Sequence, residues 1–301
     1  MKKLAIVIPY YKIDFFEESI QSVAAQTNKN FTLYIGNDAS STDPIKIIEK
    51  YFKEGDYRYF HYSDNMGGKN PAQQWERILE NVEEEWFQIL GDDDMISTNF
   101  VEEFHKHIST VESKKISTIK ISHHLIDEEN NILRSINIGQ TIIPSTEVFK
   151  MKYKGIIASS LSENIFSLAA FKKYKFEKIP FAWGTDDLAL LTFSGFKDIY
   201  YLSNAYVNVR ISTSSISGNL SLQNKKDGAY NSMREIVLNR YSQYFDKSFL
   251  IRLLNDYLKF CDQNLISPRL NLFKILLLRG YPNRYITMSK YITKINKNIK
   301  K

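Results

Sequence analysis

The first ninety residues alternate between short apolar runs and segments of helical spacing, and nothing else in the chain limits the fold as much. Leu4 to Ile8 is a continuous apolar run, as in a strand buried on both faces. Phe16, Ile20, Val23 and Ala24 then fall at helical spacing. Phe31 to Ile35 is a second short strand. Asp43-Pro44 is a helix start, with Ile45, Ile47, Ile48, Tyr51 and Phe52 behind it. Tyr57 to Tyr62 reads as a third strand. Pro71 to Val82 reads as a helix with Trp75, Ile78, Leu79 and Val82 on one face, and Trp86 to Leu90 as a fourth strand. A β-α-β-α-β-α-β order predicts an α/β fold. Its sheet is mainly parallel, its crossovers are right-handed, and ligands bind at the carboxyl ends of the strands.

The pattern then loosens. Ile116–Ile121 and Ile132–Ile138 flank the polar spacer 127–131 and predict a hairpin-like excursion. Residues 184–195 read as a helix, Ile199 to Val209 as a strand, and Ser212 to Gly218 as a polar loop. From Tyr230 onward the pattern is helical, broken at Pro268 and at Gly280-Tyr281-Pro282. A 43% apolar and 25% charged composition excludes wholesale disorder. A single cysteine, Cys261, excludes an intramolecular disulfide framework and a cysteine-only zinc site. The longest apolar run, near Leu272 to Leu278, is interrupted by Lys274 and is too short to span a bilayer. The apolar run after Lys3 ends at Pro9, which suits a buried strand better than a signal peptide and predicts a cytoplasmic protein.

Charge is concentrated at one end. After Asp262 there is no acidic residue and there are nine Lys or Arg; removing those nine from the net charge of +6 leaves −3. The same stretch interleaves Leu270, Phe273, Tyr281, Tyr285 and Tyr291 with the cations. Two readings fit: a helix lying on an anionic membrane surface through residues 268–301, peripheral at the inner face, or a core-packing helix with solvated lysines. Nucleic acid is not expected as a partner.

The chemistry-bearing feature is Gly91-Asp92-Asp93-Asp94, directly after an apolar strand. Adjacent carboxylates repel, and their desolvation is costly, so a strand end where ligands bind favours them when a cation is present. Carboxylate oxygens suit Mg²⁺ or Mn²⁺ held by few protein ligands plus substrate phosphates. A solvated acidic turn capping the next helix is the plainer alternative. Asn65-Met66-Gly67-Gly68-Lys69 is a turn before a helix, with Lys69 placed to meet phosphate. Asp186 and Asp187 open the helix after Trp183-Gly184-Thr185, where a helix N-terminus favours negative charge.

Taken in order, Ile6-Val7-Ile8-Pro9-Tyr10-Tyr11, Gly36-Asn37-Asp38-Ala39-Ser40, Asn65-Met66-Gly67-Gly68 and the aspartate triplet resemble family 2 glycosyltransferases of the GT-A fold. The likeness is close over residues 1 to about 105 and looser to about 218. It implies a Rossmann-like, mainly parallel sheet flanked by helices, with a C-terminal helical extension. The GT-A catalytic domain would span 1–222, divided into a nucleotide-binding half (1–105) and an acceptor-binding half (106–222). A basic helical extension (223–301) would follow. The resemblance further implies an inverting transfer of a hexose or N-acetylhexosamine from a UDP-sugar to a glycan or lipid-linked glycan. On this pattern Pro9 and Tyr11 line the nucleoside pocket and Asp38 pairs with the base. Asp94 and Asp92 hold Mn²⁺ or Mg²⁺, while Asp92 and Asp93 reach ribose or metal-bound water. Asp186 is the general base with Asp187 as second choice, and Arg210 touches the diphosphate. The chain departs from the pattern in two places: Thr185 stands where an acidic residue is common, and all five histidines precede residue 125. A sugar nucleotidyltransferase is an alternative, weakened by the missing Gly-rich triphosphate loop. A non-catalytic nucleotide-binding member acting as a membrane-associated scaffold is another.

Overall fold

A computed structural model describes residues 2–269, together with 289, 290, 293, 294, 296, 297 and 299. The opening alternation is β1 (Leu4–Tyr10), α1 (Phe16–Ala24), β2 (Phe31–Asp38), α2 (Ile45–Tyr51), β3 (Tyr57–Tyr62), α3 (Pro71–Leu79) and β4 (Trp86–Ile89). After it come β5 (Met95–Ile96), α4 (Phe100–Ser113), β6 (Thr118–Ile126), β7 (Ile132–Ile136) and β8 (Ile142–Pro144). Next are α5 (Ser145–Tyr153), β9 (Asn164–Ser167), α6 (Leu168–Tyr174), α7 (Thr185–Phe193) and β10 (Asp198–Arg210).

Among the described residues all ten strands join one sheet, in the order β3-β2-β1-β4-β9-β6-β10-β5, with β7 beside β6 and β8 beside β10. β1 pairs in parallel with β2 and β4, β2 with β3, and β6 with β10. β9 is antiparallel to both β4 and β6, so β6 and β10 run in the direction of β1 to β4. The expected mainly parallel sheet is therefore present: six strands share one direction, β9 is reversed at the centre, and β5, β7 and β8 run antiparallel to their partners.

Alternation along β1 shows why the sheet is covered on both faces. Leu4, Ile6 and Ile8 pack with Phe16, Ile20, Phe100 and Phe104, which belong to α1 and α4. Ala5 and Val7 point the other way, into Ile78, Leu79, Phe87, Phe171 and Phe193 of α3, β4, α6 and α7. Each large apolar side chain buried this way contributes roughly 1.5–3 kcal/mol. The α3 layer lies close because β2 carries Gly36: a Cβ there would sit 2.4 Å from Ile78. The strand ends that matter, Tyr10, Asp38, Ile89, Ile126 and Arg210, thus reach one edge of a rigid layer.

One compact unit runs to Asn224 and another starts at Lys225. The second holds most of α8 (Gln223–Ile236), a π-type turn over Val237–Tyr241, and α9 (Lys247–Gln263). Asp246 caps α9 by accepting from the Phe249 amide at 2.9 Å. Met233, Val237, Leu253, Leu254 and Cys261 form its buried side. No helix among the described residues is long and apolar enough to cross a membrane. The expected membrane-facing stretch 268–301 lies, beyond Arg269 and a few positions after 288, outside the described residues.

Candidate active site

The carboxyl ends of β1, β2 and β4 are tied together by side chains. Asp92, just past β4, accepts through Oδ2 from the backbone amides of Tyr11 and Lys12, both at 2.8 Å. Ser40, just past β2, donates from Oγ to the Tyr11 carbonyl at 2.7 Å. Pro9 is half-buried and the Tyr11 ring is exposed, so this corner forms an open wall. Asn37, fully buried, uses its amide on Tyr59 and its carbonyl on the Ser40 amide, which is turn chemistry.

Asp38 is turned inward. Its carboxylate accepts from the amides of Met66 at 2.9 Å and Gly67 at 2.7 Å, and pairs with Arg77 of α3. Burial raises its pKa against the pull of those two amides and of Arg77. The Arg77 guanidinium lies 3.7 Å from the centre of the Tyr62 ring and also pairs with Asp64. Gly67 allows this close approach, since a Cβ would come within 2.6 Å of Asp38 Oδ2. Two charges and a glycine thus fix the 65–69 turn, and Lys69 is exposed at its end.

Two of the three aspartates accept hydrogen bonds from other residues and one does not. Asp94 is almost fully buried: Oδ1 accepts from the Arg210 amide at 2.8 Å and Oδ2 from Ser162 Oγ. Asp92 keeps Oδ1 open. Asp93 is half-buried, and its carboxylate accepts from its own backbone amide and, among the described residues, from no other residue. Burial pushes Asp92 and Asp93 up to about 7 and Asp94 to about 6, reinforced by repulsion between neighbouring carboxylates. No set of three or more His, Cys, Asp or Glu side chains converges on one point among the described residues. Mg²⁺ and Mn²⁺ need fewer: one or two carboxylates, with substrate phosphates completing the shell. Asp93 and the open oxygen of Asp92 meet that requirement.

Arg210 is occupied by the protein. Its Nε donates to the Asp93 carbonyl at 3.1 Å, and Nη1 to the carbonyls of Asp127 and Glu128. Its Nη2 donates to Glu18 and Asn130, both at 2.8 Å, and its plane covers the Phe15 ring. With five N–H groups and five protein acceptors, the expected contact to a diphosphate has no donor left. Arg210 instead clamps the acidic turn. The loop after it is held by Glu128, which accepts from the Thr213 amide, and by Lys12, which donates to the Ser214 carbonyl.

Across the sheet lies a second charged group. Asp186 and Asp187 occupy the first turn of α7 after Gly184, which takes a left-handed φ of 97°. Lys152, in the last turn of α5, lies 2.9 Å from Asp186 and 2.8 Å from Asp187. The Asp186 side chain is 14% exposed and that of Asp187 2%. Burial pushes Asp187 up to about 7 although Lys152 pulls it down. Between this group and the acidic turn, Lys120 and Glu163 form a fully buried pair at 2.7 Å. Burial raises Glu163, yet Lys120 and the hydrogen bond from Ser160 hold it well below the usual carboxylate range.

A family model described as Glycosyl transferase family 2 matches residues 5–180, more than half of the chain. The chain belongs to glycosyl transferase family 2. A protein of Rickettsia bellii described as an uncharacterized glycosyltransferase is 29% identical over 138 residues, covering 46% of this chain and 19% of its own length. Glycosyltransferase GlyA of Streptococcus pneumoniae is 28% identical over 107 residues, covering 35% of this chain and 15% of its own. The matched segment covers between 15% and 41% of the length of curated relatives such as these. Among solved structures, S. aureus TarS 1–349 in complex with UDP-GlcNAc superposes with a TM-score of 0.64 at 16% identity, covering 94% of this chain and 82% of that one. That likeness shows the GT-A fold.

Seen as a family 2 member, the chain brings Pro9, Tyr11, Asp38, Lys69 and the triplet to one sheet edge. Asp186 and Asp187 sit on a helix that packs beneath the same sheet. Sequence reasoning missed Arg77, Lys152, Ser162 and Glu163. Arg77 was visible only as a polar position on an amphipathic helix. The others carry their meaning through contacts more than thirty residues away in sequence.

Proposed function

We propose that the chain transfers a hexose or N-acetylhexosamine from a UDP-sugar to a hydroxyl of a glycan or lipid-linked glycan, with inversion at the anomeric carbon. The observation that carries this reading is the half-buried Asp93 carboxylate, which among the described residues accepts from no residue but itself, beside the open oxygen of Asp92, at the carboxyl end of β4. The UDP-GlcNAc named with TarS supports the donor class.

Asp93 and Asp92 hold the divalent cation in this reading, and Asp94 is the carboxylate that positions them. Bound there, Mg²⁺ or Mn²⁺ would supply Lewis-acid charge to the departing diphosphate. Pro9 and Tyr11 flank the nucleoside, and Asp38 with Arg77 meets the base edge through the 65–69 turn. Lys69 gives a point charge for phosphate. Asp186 takes the proton of the acceptor hydroxyl. The oxygen's electron pair forms the new bond to the anomeric carbon, and the bond to the diphosphate breaks with its electrons leaving on UDP. Asp186 is preferred over Asp187 because it is the more exposed of the two.

The test is a thermal shift with UDP, GDP, CMP and dTDP, with and without Mn²⁺, on wild type and Asp93→Asn. Stabilisation by UDP that needs Mn²⁺ and disappears in Asp93→Asn supports the reading. A melting curve moved by no nucleotide overturns it and favours a degenerate, non-catalytic site.

A further inference from the structure

We propose that Lys152 is a positioning residue for the transfer: its ammonium bridges Asp186 and Asp187, fixing the Asp186 carboxylate while neutralising the buried Asp187. The inference rests on the reading of Asp186 as the general base.

The geometry is that of a clamp. One ammonium stands 2.9 Å from Asp186 Oδ2 and 2.8 Å from Asp187 Oδ1. All three side chains are largely out of solvent, so the attraction is weakly screened. Each charge sits at the helix end that suits it. Lys152 is in the last turn of α5, where carbonyls accumulate, and the aspartates are in the first turn of α7, where amides do. Asp187 is buried with one oxygen, Oδ2, that has no hydrogen-bond partner, so its charge depends on nearby cations.

The charged groups around the pair come from each neighbouring element. α5 offers Lys150 and Lys152. Lys172 and Lys173 of α6 are solvent-facing, and β6 contributes Lys120 and the buried His123. Lys120 is already matched by Glu163, which precedes β9. Lys152 is therefore the cation in direct contact with both aspartates. Without it, two adjacent carboxylates, one of them buried, face each other, and the pair retains a proton to higher pH. A base that is protonated or displaced by about an ångström loses on the order of a hundredfold in rate.

The experiment measures UDP release from UDP-GlcNAc with water as acceptor, as a function of pH. It uses the full chain as wild type, Lys152→Met, Lys152→Arg, Asp186→Asn and the double variant Lys152→Met/Asp187→Asn. Lys152→Met is expected to lower kcat about a hundredfold with KM for UDP-GlcNAc unchanged, and to move the acid limb of the kcat profile to higher pH. Lys152→Arg should recover most of the rate. The double variant, which removes the repulsion, should return the acid limb toward wild type. An unmoved acid limb in Lys152→Met, or Lys152→Arg as poor as Lys152→Met, overturns the proposal and leaves Lys152 a structural ion pair. Wild-type turnover in Asp186→Asn shows instead that the base assignment is wrong, and the proposal falls with it.

Discussion

The backbone amide of Arg210 donates to Asp94 Oδ1 at 2.8 Å, joining the last strand of the sheet to the turn after β4. The Arg210 side chain then reaches back across the same turn to the Asp93 carbonyl and on to Glu18 of α1. One residue thereby secures the acidic turn from both sides. The three aspartates have unequal surroundings as a result: Asp94 accepts from Arg210 and Ser162, whereas Asp93 accepts only from its own amide among the described residues.

That inequality predicts opposite signatures for two neighbouring substitutions. Asp94→Asn puts an amide N–H against the Arg210 amide or the Ser162 hydroxyl, leaving a buried donor unmatched. It should destabilise the metal-free protein by about 1–3 kcal/mol. Asp93→Asn keeps an oxygen for the residue's own amide and relieves repulsion with Asp94, so the metal-free melting temperature should hold or rise while the Mn²⁺-dependent gain with UDP disappears. Differential scanning fluorimetry separates the two. Equal loss of metal-free stability in both would show that Asp93 is structural as well.

The nucleotide side can be probed through Gly67. Gly67→Ala places a methyl group within 2.6 Å of Asp38 Oδ2, so the turn must move or the hydrogen bond must open. The turn is on the surface and can yield, so the stability cost should be about 1 kcal/mol. UDP affinity, which needs the turn's position, should fall roughly tenfold, equivalent to about 1.4 kcal/mol. Isothermal titration with UDP and Mn²⁺ measures this. Unchanged affinity would place the base elsewhere than the Asp38 corner.

How much of this was legible in the sequence depended on the range of the information. The β1 to β4 alternation and the place of the acidic turn are local, and hydrophobic period plus turn residues carried them. β9 was not legible: Asn164-Ile165-Phe166-Ser167 is too short to show a period, and it becomes a strand because β4 and β6 offer it two edges. The triplet was legible as a triplet. Which aspartate is presented was not, because that is decided by Ser162 and Arg210, 68 and 116 residues away from Asp94. Arg210 was noticed for its charge and place, but its role follows from acceptors on three separate segments.

The triplet also predicts how stability varies with pH. Burial raises Asp92 and Asp93 to about 7 and Asp94 to about 6, all above their unfolded value near 3.8. A carboxyl whose folded pKa is raised binds its proton more tightly in the native state. Its contribution is full below the unfolded value and is lost as pH rises through the folded one. The metal-free protein should therefore melt lower at pH 8 than at pH 5.5. Mn²⁺ should reverse the order, since it binds the ionised carboxylates. Glu163 does not confuse this window, because its lowered pKa acts only below about pH 4.5. Melting temperatures at the two pH values, with and without Mn²⁺, decide it. A metal-free protein that is equally stable at both would mean that the three carboxylates are solvated.

The buried pair Lys120–Glu163 gives the last prediction. Both side chains are fully buried, and Glu163 also accepts from Ser159 Oγ and from the amide and hydroxyl of Ser160. His123, equally buried, has neither ring nitrogen hydrogen-bonded, and burial lowers its pKa, so it stays neutral and cannot replace the cation. Lys120→Met thus leaves a charge uncompensated in the interior, at a cost of about 3–5 kcal/mol. Glu163→Gln in the same chain should recover part of it, because the amide keeps the acceptor for Ser160 without the charge. The consequence extends to the site, since the 159–163 segment that Glu163 organises also carries Ser162, the donor to Asp94. Chemical denaturation of wild type, Lys120→Met and Lys120→Met/Glu163→Gln measures the coupling. A double variant no more stable than the single one would show that the pair's value is packing rather than charge.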